Sequence, residues 1–268
     1  MITDARDCHA HVIGEPDRFP LWDGRDYDPP IATLDDYLAM LDRYGITNGV
    51  LVQPSIHRFD NRCMLDALDR AGGRLFGIAV PHPDSTARDL EQLHDHGVRG
   101  VRCNAVNAGG LDVACVREWQ PVMRALGWHV EFQITPETTP DPRALAGAFD
   151  LPVVIDHLGR PHIGDGPGSP WFARLIEAVR DGACFVKLSA PYRVSSEPPP
   201  WPDVTPFARA LLEANPAACL WASDWPHIDT RPAIDAEDVF ATITDWLPTP
   251  TLRQVVLCDA PRSLFTPP

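Results

Sequence analysis

The chain has 268 residues, 44% of them hydrophobic, enough for one large core and the ordinary length of a single α/β barrel. With 23 Lys and Arg against 37 Asp and Glu, its formal net charge of −14 argues against non-specific nucleic-acid binding and against an anionic membrane surface as partner. No stretch reaches the apolar length of a membrane-spanning helix. The opening Met1-Ile-Thr-Asp-Ala-Arg6 lacks an apolar signal core, so a cytoplasmic protein, monomeric or a small homo-oligomer, is expected. Seven dispersed cysteines form no C-x-x-C pair and read as buried thiols.

Strand-like and helix-like segments alternate along the chain. Residues 7–11, Asp-Cys-His-Ala-His, end a first strand, and period-two alternation predicts Asp7, His9 and His11 on one face. A long Pro/Gly/Asp loop follows. Thr33 is the expected N-cap of a helix carrying Leu34, Tyr37, Leu38, Leu41 and Tyr44, with Gly45 as its stop. Strands are predicted at 46–53, 75–80, 98–102, 128–134, 153–157, 185–189 and 220–224. Among the intervening helices, one is expected to be capped by Asp60 and stopped at Gly72-Gly73, and another opens at Ser169-Pro170. Eight apolar strands alternating with helices predict parallel pairing in one α/β domain over 1–268. The expected form is a distorted (β/α)8 (TIM) barrel with a long loop after strand one and C-terminal helices. An open doubly wound sheet is the alternative, and no glycine-rich phosphate fingerprint follows strand one.

In such barrels the chemistry sits at the C-terminal strand ends. Those ends carry His9 and His11, Gln53 with His57, Arg102 with Asn104, Gln133, His157 with Arg160, Ser189 with Arg193, and Asp224 with His227. A lone histidine is more often structural than catalytic, but His9 and His11 lie two apart, which sets both rings on one face. A single arginine is ordinarily a salt-bridge partner. Arg102, Arg160 and Arg193 after three different strands read instead as a device for holding an anion, because guanidinium forks match carboxylates.

The His-x-His of strand one, the His of Asp156-His-Leu-Gly-Arg-Pro161 and the Asp of Ser223-Asp-Trp-Pro-His227 together resemble the amidohydrolase superfamily. More narrowly they resemble its 2-pyrone-4,6-dicarboxylate lactonase-like branch. The likeness runs nearly end to end, through Phe19-Pro, Tyr27-x-Pro, Val52-Gln, Asp60-Asn-Arg62, Gly97-Val-Arg-Gly-Val-Arg102, Leu126-Gly-Trp-His-Val130, Val186-Lys-x-Ser189 and Asp259-x-Pro-Arg-x-Leu-Phe265. It implies a barrel enzyme that adds water to a lactone without a required metal. His9, His11 and Asp224 could supply the three protein ligands of a catalytic zinc. Metal-dependent relatives add a lysine or glutamate on strand four and a histidine on strand five, however. Here those places hold Arg102 or Asn104, and Gln133. Glu131 is expected to be an interior partner for an arginine, or else a stray ligand.

The expected mechanism makes Asp224 the general base toward water, with His9, His11 and His157 as donors to the lactone carbonyl. Arg160 and Arg193 would hold a substrate carboxylate, Tyr27 would close over the pocket, and His57 and His227 would line it along with Arg102 and Gln133. The stretch after strand four, Asn104-Ala-Val-Asn-Ala-Gly-Gly110, has no basic residue where the dicarboxylate lactonase has one. A lactone with fewer carboxylates, muconolactone-like or a sugar lactone, is therefore expected. The alternatives are an amidohydrolase or decarboxylase using one divalent ion (zinc), and a non-catalytic binder of small acids.

Overall fold

The computed structural model describes residues 4–228, 230 and 233–265; the extreme ends of the expected 1–268 domain lie outside the described residues. Eight parallel strands stand in the order β1-β2-β3-β4-β5-β6-β7-β8. They are Arg6–Ala10, Asn48–Val52, Leu75–Ala79, Val98–Asn104, His129–Gln133, Val153–Ile155, Phe185–Leu188 and Cys219–Trp221. The helices between them are α1 (Leu34–Tyr44), α2 (Arg62–Arg70), α3 (Ala87–Asp95), α4 (Val113–Ala125), α5 (Pro142–Ala146), α6 (Pro170–Arg180) and α7 (Thr205–Ala214). After β8 come α8 (Ala236–Trp246), α9 (Pro250–Gln254), a wide turn at Val255–Asp259, and α10 (Ala260–Leu264). This is the (β/α)8 barrel expected from the sequence.

Local chemistry accounts for the elements. Thr33 accepts from Asp36 N–H, Asp36 reaches back to Thr33 N–H in a capping box, and Gly45 ends α1 at φ 68°. Ser169 caps α6 ahead of Pro170, as expected. The N-cap of α2 is Asn61, not Asp60, whose carboxylate is taken by Arg62. The strands β6 and β8 end sooner than predicted, at Ile155 and Trp221. His157 and Asp224 have turned to φ of 54° and 57°, where a strand ladder cannot continue.

The first strand departs from simple alternation. Its pairing with β2 shifts register between Asp7 and Ala10, so Asp7 does not share a face with His9 and His11. Asp7 instead reaches toward α1, accepting from Tyr37 Oη at 3.1 Å, and from Ser223 N and Oγ at 2.8 and 2.5 Å. The long loop is folded back by paired backbone bonds between Ile13 and Ala32. None of the seven cysteines is joined in a disulfide, and Cys115 alone is partly exposed. Among the described residues no helix is long and apolar enough to cross a membrane.

The barrel interior is layered. Its floor is apolar: Val50, Val52, Phe76, Ile78, Val154 and Leu220 meet Leu264 and Phe265, so the end of α10 plugs the N-terminal mouth. The Arg6 guanidinium donates to Phe265 C=O at 3.1 Å and lies 4.9 Å from the Phe76 ring centre. Above that floor the filling turns polar, with His9, Glu131, Asp156 and Lys187 all fully buried. The apolar floor places this polar layer directly under the C-terminal strand ends.

Close approach of β4 to β5 depends on Gly100, where a Cβ would stand 2.6 Å from His129 C=O and 3.2 Å from Ile78 Cδ1. Gly100→Ala is expected to lower stability by about 1–3 kcal/mol through this overpacking. Urea unfolding of purified variant and wild type reads this out, and equal midpoints would contradict it.

Candidate active site

Asp224 reaches the pocket by a backbone route. Beyond β8 the chain bonds to β1 and closes the barrel: Asp224 N–H donates to His9 C=O at 2.9 Å and His11 N–H to Trp225 C=O at 2.8 Å. The left-handed turn at Asp224 aims its carboxylate inward. Oδ2 accepts from Tyr192 Oη at 2.5 Å and Arg193 Nε at 2.9 Å. Oδ1 is buried with no hydrogen-bond partner among the described residues. It faces His11 Nε2 at 3.6 Å, His9 Nε2 at 3.7 Å and His157 Nε2 at 3.9 Å.

The imidazoles are held from behind. His11 Nδ1 is 2.7 Å from Val52 C=O, which can only accept, so Nδ1 carries a proton. His157 Nδ1 meets Ser189 Oγ at 2.8 Å. His9 Nδ1 lies 3.0 Å from Lys187 Nζ and 3.3 Å from Asp156 Oδ1. Burial drives His157 down to about 3 and His9 well below the ordinary range, so both rings are neutral at pH 7. Burial alone would raise the Asp224 carboxyl. The adjacent Arg193 guanidinium outweighs it and holds the group well below the carboxylate range. Asp156 behaves likewise under Lys187, His9 and Arg102.

A cavity of about 150 Å³ opens above these atoms, about the volume that holds one benzene-sized ring. Of the residues picked from the sequence, His11, Tyr27, Arg102, Gln133, His157, Arg160, Arg193 and Asp224 line it. His9 is packed beneath, with Nε2 pointing at Asp224. Two expectations are corrected: neither His57 nor His227 lines the cavity. His57 is turned to the first loop, with Nδ1 3.2 Å from Pro20 C=O, and His227 packs edge-on against Tyr192. The Arg193 expectation changes as well, because its guanidinium is committed to Asp224 and to Ile228 C=O. Arg102 is held by Asp156 at 3.1 Å and by Gln133 Oε1. Among the described residues the Arg160 side chain has no such partner. Asp26, next to Tyr27, accepts from Asn107 Nδ2 and Ala108 N–H, tying the first loop to the loop after β4 over the cavity.

Reading the strand ends overlooked Lys187, Tyr192, Asp156 and the Asp7–Ser223 pair. Glu131 is partnered by Lys187 at 2.6 Å, not by an arginine. A lysine inside an apolar strand, two residues before Ser189, was the available signal for the first of these. Nothing local marked Tyr192.

The donor atoms of His9, His157 and Asp224 lie within 4.8 Å of one another. With the buried, unpartnered Nε2 of His9 and Oδ1 of Asp224, this spacing suits a divalent cation. His157 takes the third place expected for His11.

The Amidohydrolase family profile matches residues 6–266. This chain belongs to the amidohydrolase family. Among relatives of this amidohydrolase, the 4-sulfomuconolactone hydrolase of Rhizobium radiobacter is 36% identical over 97% of this chain and 89% of its own. The 2-pyrone-4,6-dicarboxylate hydrolase of Comamonas testosteroni is 33% identical over 98% of this chain and 90% of its own. A solved structure, a probable 2-pyrone-4,6-dicarboxylic acid hydrolase from Acinetobacter baumannii with citric acid bound, superposes with a TM-score of 0.86 at 27% identity. It covers 98% of this chain and 99% of its own.

The Asp224–Arg193 pair makes a stability prediction. A carboxyl with a depressed folded-state pKa adds stability that is complete above its unfolded value of about 3.9 and is lost as pH falls toward the folded value. Arg193→Met leaves Asp224 buried without its guanidinium. This is expected to cost about 2 kcal/mol or more at pH 7, allowing for the 17% exposure of the Arg193 side chain. The difference between variant and wild type should shrink on going to pH 3. Thermal unfolding at the two pH values tests this, and a gap independent of pH would refute it.

Proposed function

We propose that this amidohydrolase opens a small lactone carrying one anionic group by adding water at its carbonyl. The observation that carries the reading is the free Oδ1 of Asp224, facing three imidazoles across a ring-sized cavity lined by one guanidinium, Arg160, that has no partner among the described residues. Asp224 is the general base: Oδ1 takes a proton from water as its oxygen bonds to the carbonyl carbon. His11, with its Nδ1 proton committed to Val52 C=O, is assigned an acceptor role at Nε2. It therefore helps Asp224 hold the water, in place of the donor role expected from the sequence. His9 and His157 donate to the oxyanion. The acyl C–O bond of the ring then breaks, and the leaving oxygen takes the proton from Asp224. The low basicity of this carboxylate favours that return.

Arg160 holds the substrate's anion, while Arg102 with Gln133 and Arg193 with Asp224 shape the wall. The end of β4 and the loop after it face the cavity with Asn104, Val106 and Asn107 and supply no second cation. A muconolactone-like or sugar-acid lactone fits better than a dicarboxylate. No metal is required in this reading, because Arg102, Arg160 and Arg193 already surround the cavity and would repel a dication. Were an ion bound, His9, His157 and Asp224 would hold it and it would polarise the carbonyl and acidify the water.

Asp224→Asn should lower kcat by on the order of 10²–10⁴-fold, and near wild-type turnover would remove Asp224 from its role. Arg160→Gln should raise KM about tenfold or more with a smaller effect on kcat. In a pH-indicator assay over a lactone panel, a monoanionic lactone should be turned over best. Highest activity on the pyrone dicarboxylate would overturn the substrate assignment. Activity should survive extensive chelation, and chelator-sensitive activity restored by zinc would favour the metal-dependent alternative.

A further inference from the structure

The polar layer beneath the pocket contains a second group with metal-ligand spacing: His9, Glu131 and Asp156 have donor atoms within 4.8 Å of one another, all buried. A cation already sits among them. Lys187 Nζ lies 2.6 Å from Glu131 Oε2, 3.1 Å from Asp156 Oδ1 and 3.0 Å from His9 Nδ1. An ammonium has three N–H donors and no acceptor, and here three acceptor atoms surround it. We propose that Lys187 is a positioning residue for the hydrolysis. It serves as a built-in cation with one N–H accepted by His9 Nδ1, so that the His9 proton stays on Nε2 and points at the reacting carbonyl oxygen.

The alternative proton placement, on His9 Nδ1 toward Asp156 at 3.3 Å, would set an N–H against the ammonium at 3.0 Å and leave Nε2 a lone pair facing the oxyanion. Two fully buried carboxylates, Glu131 at 2.6 Å and Asp156 at 3.1 Å, face the Lys187 ammonium. Lys187 does not line the cavity, so it acts only through His9. Ser189, two residues on along the same strand face, meets His157 Nδ1, so the β7 end supports two rings from behind. The ammonium also keeps His9 Nε2 protonated, which denies that atom to a metal ion.

This inference rests on the lactone-opening reading for its kinetic consequence but not for its two direct readouts. In histidine-15N-labelled wild type, long-range 1H–15N correlation should show His9 protonated at Nε2 and bare at Nδ1, its signals identified by their loss in His9→Asn. In Lys187→Met the proton should move to Nδ1. That variant, dialysed against a fixed free Zn2+ concentration, should retain about one more equivalent of zinc than wild type by elemental analysis. With the lactone that wild type turns over best, kcat should fall by on the order of 10²-fold, as for loss of one oxyanion donor, while KM stays within about threefold. Should Lys187→Met fail to fold, Lys187→Met/Glu131→Gln removes both members of the buried pair and carries the same expectations. A wild-type His9 protonated at Nδ1 overturns the proposal outright. So does an unchanged tautomer with unchanged zinc content in a folded variant. If the tautomer and zinc results hold but no lactone is turned over, the functional reading fails and the Lys187 assignment stands.

Discussion

The site depends on the seam where the barrel closes. The Asp224 N–H donates to the His9 carbonyl, the His11 N–H to the Trp225 carbonyl, and Ser223 is gripped by the buried Asp7 carboxylate. These bonds fasten the end of β8 to the end of β1, more than 200 residues apart in the chain. They carry an acid and two imidazoles into contact without relying on flexible side chains. The left-handed backbone at Asp224 and His157 is part of the same arrangement: two residues turned out of their strands point their polar atoms at one spot.

Around that seam the barrel separates its work by depth. The apolar floor under Phe265 supplies packing, while the middle layer of Lys187, Glu131, Asp156, His9 and Arg102 supplies orientation. Buried ions are poor sources of net stability, because desolvation offsets most of their attraction. Their value here is preorganisation. Lys187 and Asp156 hold the His9 ring, and Arg102 holds Asp156, so donors and acceptors need not reorganise when charge develops on a substrate. The cost is carried by a core in which the strands are buried almost throughout and the helices pack their apolar faces against them.

Much of this was legible in residue order. The capping box at Thr33, the Gly45 stop and the Ser169-Pro170 start each act within one turn, so local chemistry reveals them. His9, His11, His157 and Asp224 were found because barrel strands end in a common plane. His57 and His227 were misplaced for a related reason. Both follow strand ends, but a short turn after β2 swings one toward Pro20, and Tyr192 covers the other. Strand alternation also failed at Asp7, where the register shift turns the carboxylate out to Tyr37.

What the sequence determined by itself was the alternation of eight strands with helices, and with it the barrel and the plane on which polar residues would gather. Hydrophobic period and cap chemistry are short-range properties and are written locally. Only the tertiary structure decided which charges neutralise one another: Arg193 with Asp224, Arg102 with Asp156, and Lys187 with Glu131, leaving Arg160 without a partner among the described residues. Those pairings join different strands, and their Coulombic strength depends on distances and burial that no spacing along a chain contains.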